Sequence, residues 1–193
     1  MRRTTMLVVC TLALALCAGY AAASTTPPPS DTLKVDYFSN ANTAGAPDGT
    51  LRIVNPGTAT VGSLCAAIYV FDSFQEMSEC CSCPLSPDSL RTLSVNIDLT
   101  GNPLTGVTLH TGAIKIVSTP EVGGVCPLPT RLTPTAGLRS WTTHIQNSNF
   151  AVTETASQDA TFSYNEQVRL QSECYAIQLD GSGKGICTCG VGD

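Results

Sequence analysis

Apolar residues along this chain recur mostly with a period of two, in blocks too short for long helices. Leu64 to Phe71, LCAAIYVF, has no polar break, which predicts a strand buried on both faces and central in its sheet. Leu93, Val95 and Ile97 alternate with Ser94, Asn96 and Asp98, the pattern of a strand with one wet face. The same alternation sets Leu33, Val35 and Tyr37 against Lys34 and Asp36, and it returns at Thr50 to Val54 after an Asp48-Gly49 turn, so these two segments are expected to pair antiparallel. Val107 to His110, Ala113 to Val117 and Phe150 to Thr153 read as further strands, with Phe150 and Val152 inward and burial ending at Glu154. Leu138 to Ile145 fits both periods, and its paired threonines favour strand.

Two places carry a helical signal. Ser163 to Glu166 has capping-box spacing, Leu170, Cys174 and Ile177 follow on one face, and Gly181 offers a left-handed stop, which predicts a helix over 164–178. Ser73 to Glu76 has the same spacing and predicts a single turn through Phe74 and Met77, delivering the chain to Cys80, Cys81 and Cys83 as a knuckle between two strands. Turn signals recur about every ten residues, the rhythm of a sandwich or barrel. The expected fold is mainly β: a disulfide-stapled antiparallel β-sandwich with one C-terminal α-helix.

The N-terminus changes the picture of where such a fold resides. Met1-Arg2-Arg3, the apolar run Met6 to Ala18 and Ala21-Ala22-Ala23 describe a secretory signal peptide over 1–23, too short in its apolar part to be a membrane span. A Pro-rich spacer, 24–32, precedes a single β-rich domain, 33–193. No later segment is long and apolar enough to cross a membrane. Loss of Arg2 and Arg3 with the leader takes the net charge from -5 to -7, which argues against nucleic acid as a partner. Charged residues make up only 13% of the chain, below the usual ~25%, a balance met in exported β proteins. The expectation is a secreted protein, extracellular or periplasmic.

Cysteine is the strongest chemical signal. Of ten, Cys10 and Cys17 leave with the leader, and Cys65, Cys80, Cys81, Cys83, Cys126, Cys174, Cys187 and Cys189 remain. An even number in an oxidising compartment implies four disulfides. Eight cysteines permit on the order of a hundred pairings, so connectivity stays open, although adjacent Cys80 and Cys81 could bond each other only with strain. Two alternatives start from the same residues: a redox-active Cys187-x-Cys189 pair beside Lys184, and zinc or copper(I) held by Cys80-Cys81-x-Cys83 with Cys187-x-Cys189.

Other constellations are weaker. His110 and His144 read as solvated surface residues with no marked acid or nucleophile beside them. Asp72, Glu76 and Glu79 could serve a glycosidase only if the fold paired two across a groove, and they read as a solvated face. The loop Ser39 to Pro47 lacks the regularly spaced carboxylates of a calcium site, and Gly181 to Gly185 lacks the pattern of a phosphate-binding loop. Trp141, the single tryptophan, is expected in the core, with a sugar-stacking platform as the alternative. No catalytic residue, cofactor or metal site is assigned.

The stretch IYVFDSFQEMSECCSCPLSPDSLRTLSVNIDLTGNPLTG, followed by GAIKIVST, LRSWTTHIQ, LQSEC and CTCG, resembles a group of uncharacterised secreted, cysteine-rich bacterial proteins. The resemblance implies export and a cysteine framework, and it implies no activity. The resulting expectation is a secreted or cell-envelope structural or interaction module without catalytic activity, whose partner is an extracellular protein or polysaccharide. A thiol-disulfide or soft-metal protein and a carbohydrate-binding module are the alternatives.

Overall fold

The computed structural model describes residues 31–190, so the expected signal peptide, nearly all of the spacer and the last three residues lie outside the described residues. Nine strands are β1 (Leu33–Phe38), β2 (Thr50–Val54), β3 (Leu64–Asp72), β4 (Met77–Leu85), β5 (Leu90–Ser94), β6 (Gly112–Pro120), β7 (Arg139–Gln146), β8 (Ala151–Ala156) and β9 (Gln158–Ala160). A π-helical turn, Val95–Leu99, follows β5, and helix α1, Tyr164–Asp180, follows β9. The strands form two antiparallel sheets, ordered β4-β3-β6-β1-β9 and β5-β2-β7-β8.

The unbroken apolar run of β3 is explained by two separate cores. Ala66, Ile68 and Val70 point between the sheets and meet Leu51, Ile53 and Leu93, whereas Ala67, Tyr69 and Phe71 point outward under α1 and meet Leu170, Cys174 and Ile177. A strand covered by a sheet on one face and a helix on the other has no position left for a polar side chain. Tyr69 satisfies its buried hydroxyl by donating to the Pro129 carbonyl at 2.6 Å, which also ties down the long loop after β6. The Ser163 hydroxyl caps α1 by accepting from the Glu166 amide at 3.1 Å. The Glu166 carboxylate does not close the box. It turns to Lys115 and Arg169 instead.

Several local expectations are corrected. β1 and β2 do not pair. β1 lies in the five-stranded sheet with β6 and β9, and β2 in the other with β5 and β7, because the intervening loop carries the chain across the sandwich. Asn40 and Asn42 make that crossing in left-handed backbone, with φ of 54° and 53°. Residues 73–76 form a hairpin turn, not a helical one. The Asp72 carboxylate, not Ser73, organises it, accepting from the amides of Phe74 (2.8 Å) and Glu76 (2.9 Å). Met77 therefore opens β4, and Cys80, Cys81 and Cys83 stand within a strand rather than in a knuckle.

The alternating stretch after Leu93 stops being a strand at Ser94, whose hydroxyl accepts from the Ile97 amide while its own amide donates to Asp98. Local side-chain bonds of this kind compete with sheet ladders, and Ile97 ends exposed. Residues 107–110 are loop. Phe150 precedes β8 in left-handed backbone, and Val152 is 56% exposed, because β8 is an edge strand exposed along its whole length. Gly181 ends α1 with a right-handed φ of -72°.

Candidate functional site

The cysteine framework follows from strand geometry. Successive side chains of a strand leave on opposite faces, so Cys80 points to the helix side and Cys81 and Cys83 to the sandwich interior. Cys80 bonds Cys174 at the centre of α1. Cys81 and Cys83 bond Cys187 and Cys189, which have the same two-residue spacing on the C-terminal tail. Cys65 bonds Cys126 and pins the loop after β6. The tail lies against the free edge of β4. Ile186 forms a parallel bridge with Cys80, and the Cys80 amide donates to the Gly185 carbonyl at 2.9 Å. All eight cysteines among the described residues are thus bonded in pairs. Four disulfides fit an oxidising, non-cytoplasmic compartment, and no described helix is long and apolar enough to cross a membrane.

Trp141 is not in the core. Its neighbours Ser140 and Thr142 face inward and are buried, so the strand's alternation puts Trp141 on the outer face of the four-stranded sheet, where it is 37% exposed. β2 and β7 are the central strands, and Arg52 lies opposite Trp141 across their pairing. Arg52 is held by an ion pair with Glu154 on β8. Thr50 and Thr143 share a hydroxyl–hydroxyl hydrogen bond of 2.8 Å on the same face. The result is an indole at the middle of an open sheet, bordered by a paired guanidinium and carboxylate and by threonine hydroxyls. Such a surface offers a flat apolar ring for stacking and polar groups for hydrogen bonding around it.

His144 is also corrected: it is 1% exposed, between the sheets, rather than on the surface. Its Nε2 lies 2.7 Å from Thr155 Oγ1 and 3.4 Å from Asp36 Oδ1, and the Tyr37 ring stacks on the imidazole at 4.1 Å. A catalytic relay places the acid and the nucleophile on different ring nitrogens. Here both meet Nε2, and the Ser157 hydroxyl donates to the other oxygen of Asp36 at 2.8 Å. The cluster ties β1 to β7 and to the corner between β8 and β9. His110 is exposed, as expected, with Nδ1 2.8 Å from the Ala41 carbonyl.

The three acidic residues do not form a solvated face together. Glu79 is fully buried toward the sandwich interior, accepts from the Asn102 amide at 2.9 Å, and has its carboxyl pushed up to about 7 by loss of solvent. Asp72 and Glu76 line a groove of about 380 Å³ with Phe74 and His110, but Asp72 is engaged by its own turn. Asn102 explains the buried carboxylate. Its side-chain amide donates to the carbonyls of Gly183 and Ile186, so Glu79 supports the loop that holds the tail. The sequence pattern held no sign of this chain of bonds. The loop from Ser39 to Pro47 is tied down by Asn42, whose side chain donates to Thr100 Oγ1 and to the Leu109 carbonyl.

No protein-family model matches the chain. No curated protein matches it either. Among solved structures, the crystal structure of Thermotoga maritima 1070 is similar over 69% of this chain and 98% of its own length, at 10% identity and a TM-score of 0.42.

Proposed function

We propose that this chain is an exported, non-catalytic interaction module of the cell surface or its surroundings, and that it binds polysaccharide on the outer face of the four-stranded sheet. The observation that carries the reading is the position of Trp141: the single indole of the chain stands exposed on a central strand, on a sheet face that it shares with half-buried Thr50, Arg52 and Thr143. Large aromatic side chains left in water at such a place stack on the apolar faces of sugar rings. Arg52, Glu154, Thr50 and Thr143 supply hydrogen-bond partners for hydroxyl groups. Export is supported by the leader-like N-terminus and by four disulfides.

The test is titration of the intrinsic fluorescence with soluble cell-wall polysaccharides, joined to pull-down on insoluble ones. Binding quenches or blue-shifts Trp141 emission, and Trp141→Ala abolishes retention without loss of the fold. Emission that stays unchanged across a panel of polysaccharides, with no retention, ends the carbohydrate reading.

A further inference from the structure

We propose that the thiol form of the paired staple, Cys81, Cys83, Cys187 and Cys189, is a site for one soft, tetrahedral metal ion such as zinc. None of its four ligands belongs to the Trp141 face, which shares Thr50 with the cleft beside Cys189. The argument begins with register. Two disulfides join the same two segments at matching two-residue spacings: Sγ of Cys81, Cys83 and Cys189 all lie within 4.8 Å of one another, and Cys187 Sγ is bonded to that of Cys81. A tetrahedral zinc thiolate site, with Zn–S of ~2.3 Å, needs sulfurs about 3.8 Å apart. The Cα atoms of the bonded pairs are 5.2 Å and 5.3 Å apart, close enough for four thiols to reach that spacing by side-chain rotation while the tail keeps its place on β4.

Cys80, included in the sequence-based metal reading, is excluded. It leaves β4 on the opposite face and holds α1.

The surroundings suit a thiolate cluster. Cys81, Cys83 and Cys187 are buried and Cys189 is half-buried, so the ion would be shielded but reachable through the cleft lined by Thr188, Cys189 and Asp98. Arg91 donates to the Cys189 carbonyl at 2.7 Å and to the Pro84 carbonyl at 3.2 Å, which ties the backbone of the tail to that of β4 next to the cysteines. The tail is also held by contacts that do not involve sulfur, since the Thr188 amide donates to the Asp98 carbonyl at 2.9 Å and the Gly185 amide to the Asn102 carbonyl at 2.7 Å. The cysteines are therefore kept near one another without their disulfides.

The chemistry balances with a dithiol as reductant. Two dithiols give four electrons and four protons to the two disulfides and close to cyclic disulfides themselves, leaving four protein thiols. The divalent ion then forms four metal–sulfur bonds and releases up to four protons, which makes its affinity rise with pH.

The experiment uses the whole exported chain, reduced with a phosphine that does not compete for metal, desalted without oxygen and titrated with cobalt(II) and then zinc. The expected result is one cobalt per chain with the ligand-field spectrum of a tetrahedral thiolate complex, bleached by zinc. Cys83→Ser/Cys189→Ser should weaken binding by about 100-fold or more, and Cys65→Ser/Cys126→Ser should leave it unchanged. If the reduced chain loses its β-sheet circular dichroism, zinc must restore it. Absence of stoichiometric cobalt binding, equal binding by the Cys83→Ser/Cys189→Ser variant, or zinc bound without recovery of a lost fold would each overturn the proposal.

Discussion

Cys80 and Cys81 are adjacent on β4, yet their disulfides leave opposite faces of the sheet: Cys80 holds helix α1 through Cys174, and Cys81 holds the C-terminal tail through Cys187. One strand is therefore stapled from both sides. The two staples should be separable. With Cys81–Cys187 still in place, the Cys80–Cys174 link closes a loop of about 15 residues, so Cys80→Ser/Cys174→Ser is expected to lose about 3 kcal/mol of chain-entropy stabilisation. Hydrogen exchange should show protection lost first in α1, with the tail amides still protected, and Cys81→Ser/Cys187→Ser should leave α1 protected. Equal loss in both regions from either variant would mean that the strand does not insulate them.

Glu79 predicts a pH dependence with a definite sign. Its carboxyl holds its proton to about pH 7 in the folded chain, against an ordinary value of 4.5. Between those values the folded state binds more proton than the unfolded one, so stability falls as pH rises through the window and levels off above it. The total is about 3 kcal/mol. Glu79→Gln keeps the acceptor for the Asn102 amide and should flatten the slope between pH 5 and 8, as read by urea denaturation. Asp31 and Glu166 have carboxyls that burial raises, but Arg139 for the first and Arg169 and Lys115 for the second outweigh it and hold them low, so both act below this window.

Gly112 should tolerate no side chain. A Cβ there would lie 2.0 Å from the Phe71 carbonyl oxygen and 2.6 Å from the Phe38 ring. Gly112→Ala is expected to cost about 3 kcal/mol by forcing β3 and β6 apart, measured as a shift of the denaturation midpoint. Gly106→Ala, at an open position where the strain is only that of a positive φ of 70°, should cost about 1 kcal/mol.

The two faces of the four-stranded sheet should respond differently to truncation. Leu51→Ala removes a fully buried side chain and is expected to lose about 3 kcal/mol. Trp141→Ala on the outer face should lose about 1 kcal/mol or less, despite the larger residue. A Trp141→Ala variant as unstable as Leu51→Ala would return the indole to a structural role.

Elements with a strong local cause were readable in advance. The burial of β3 on both faces, the helix with Leu170, Cys174 and Ile177 inward, and strand β7 all follow from patterns within a few residues. Elements governed by a competing local bond were not. Asp72 turned an expected helical turn into a hairpin, and Ser94 with Asp98 ended a strand that alternation would have continued.

The candidate site was legible only as composition. Trp141 and the eight cysteines could be named, but the side of the sheet on which the indole falls depends on register, and register is set by pairing with β2 and β8 far along the chain. His144 and Glu79 were misplaced for the same reason, since nothing near them in sequence marks the strands that cover them.

By itself, the sequence determined a cysteine-rich, mainly β chain with one late helix, because alternation, capping and turn residues act over a few positions. Only the tertiary structure decided which cysteines meet, which strands share a sheet and which aromatic ring stays in water. Those are contacts between residues tens of positions apart, and their partners are chosen by the packing of two sheets and a helix, not by any neighbour along the chain.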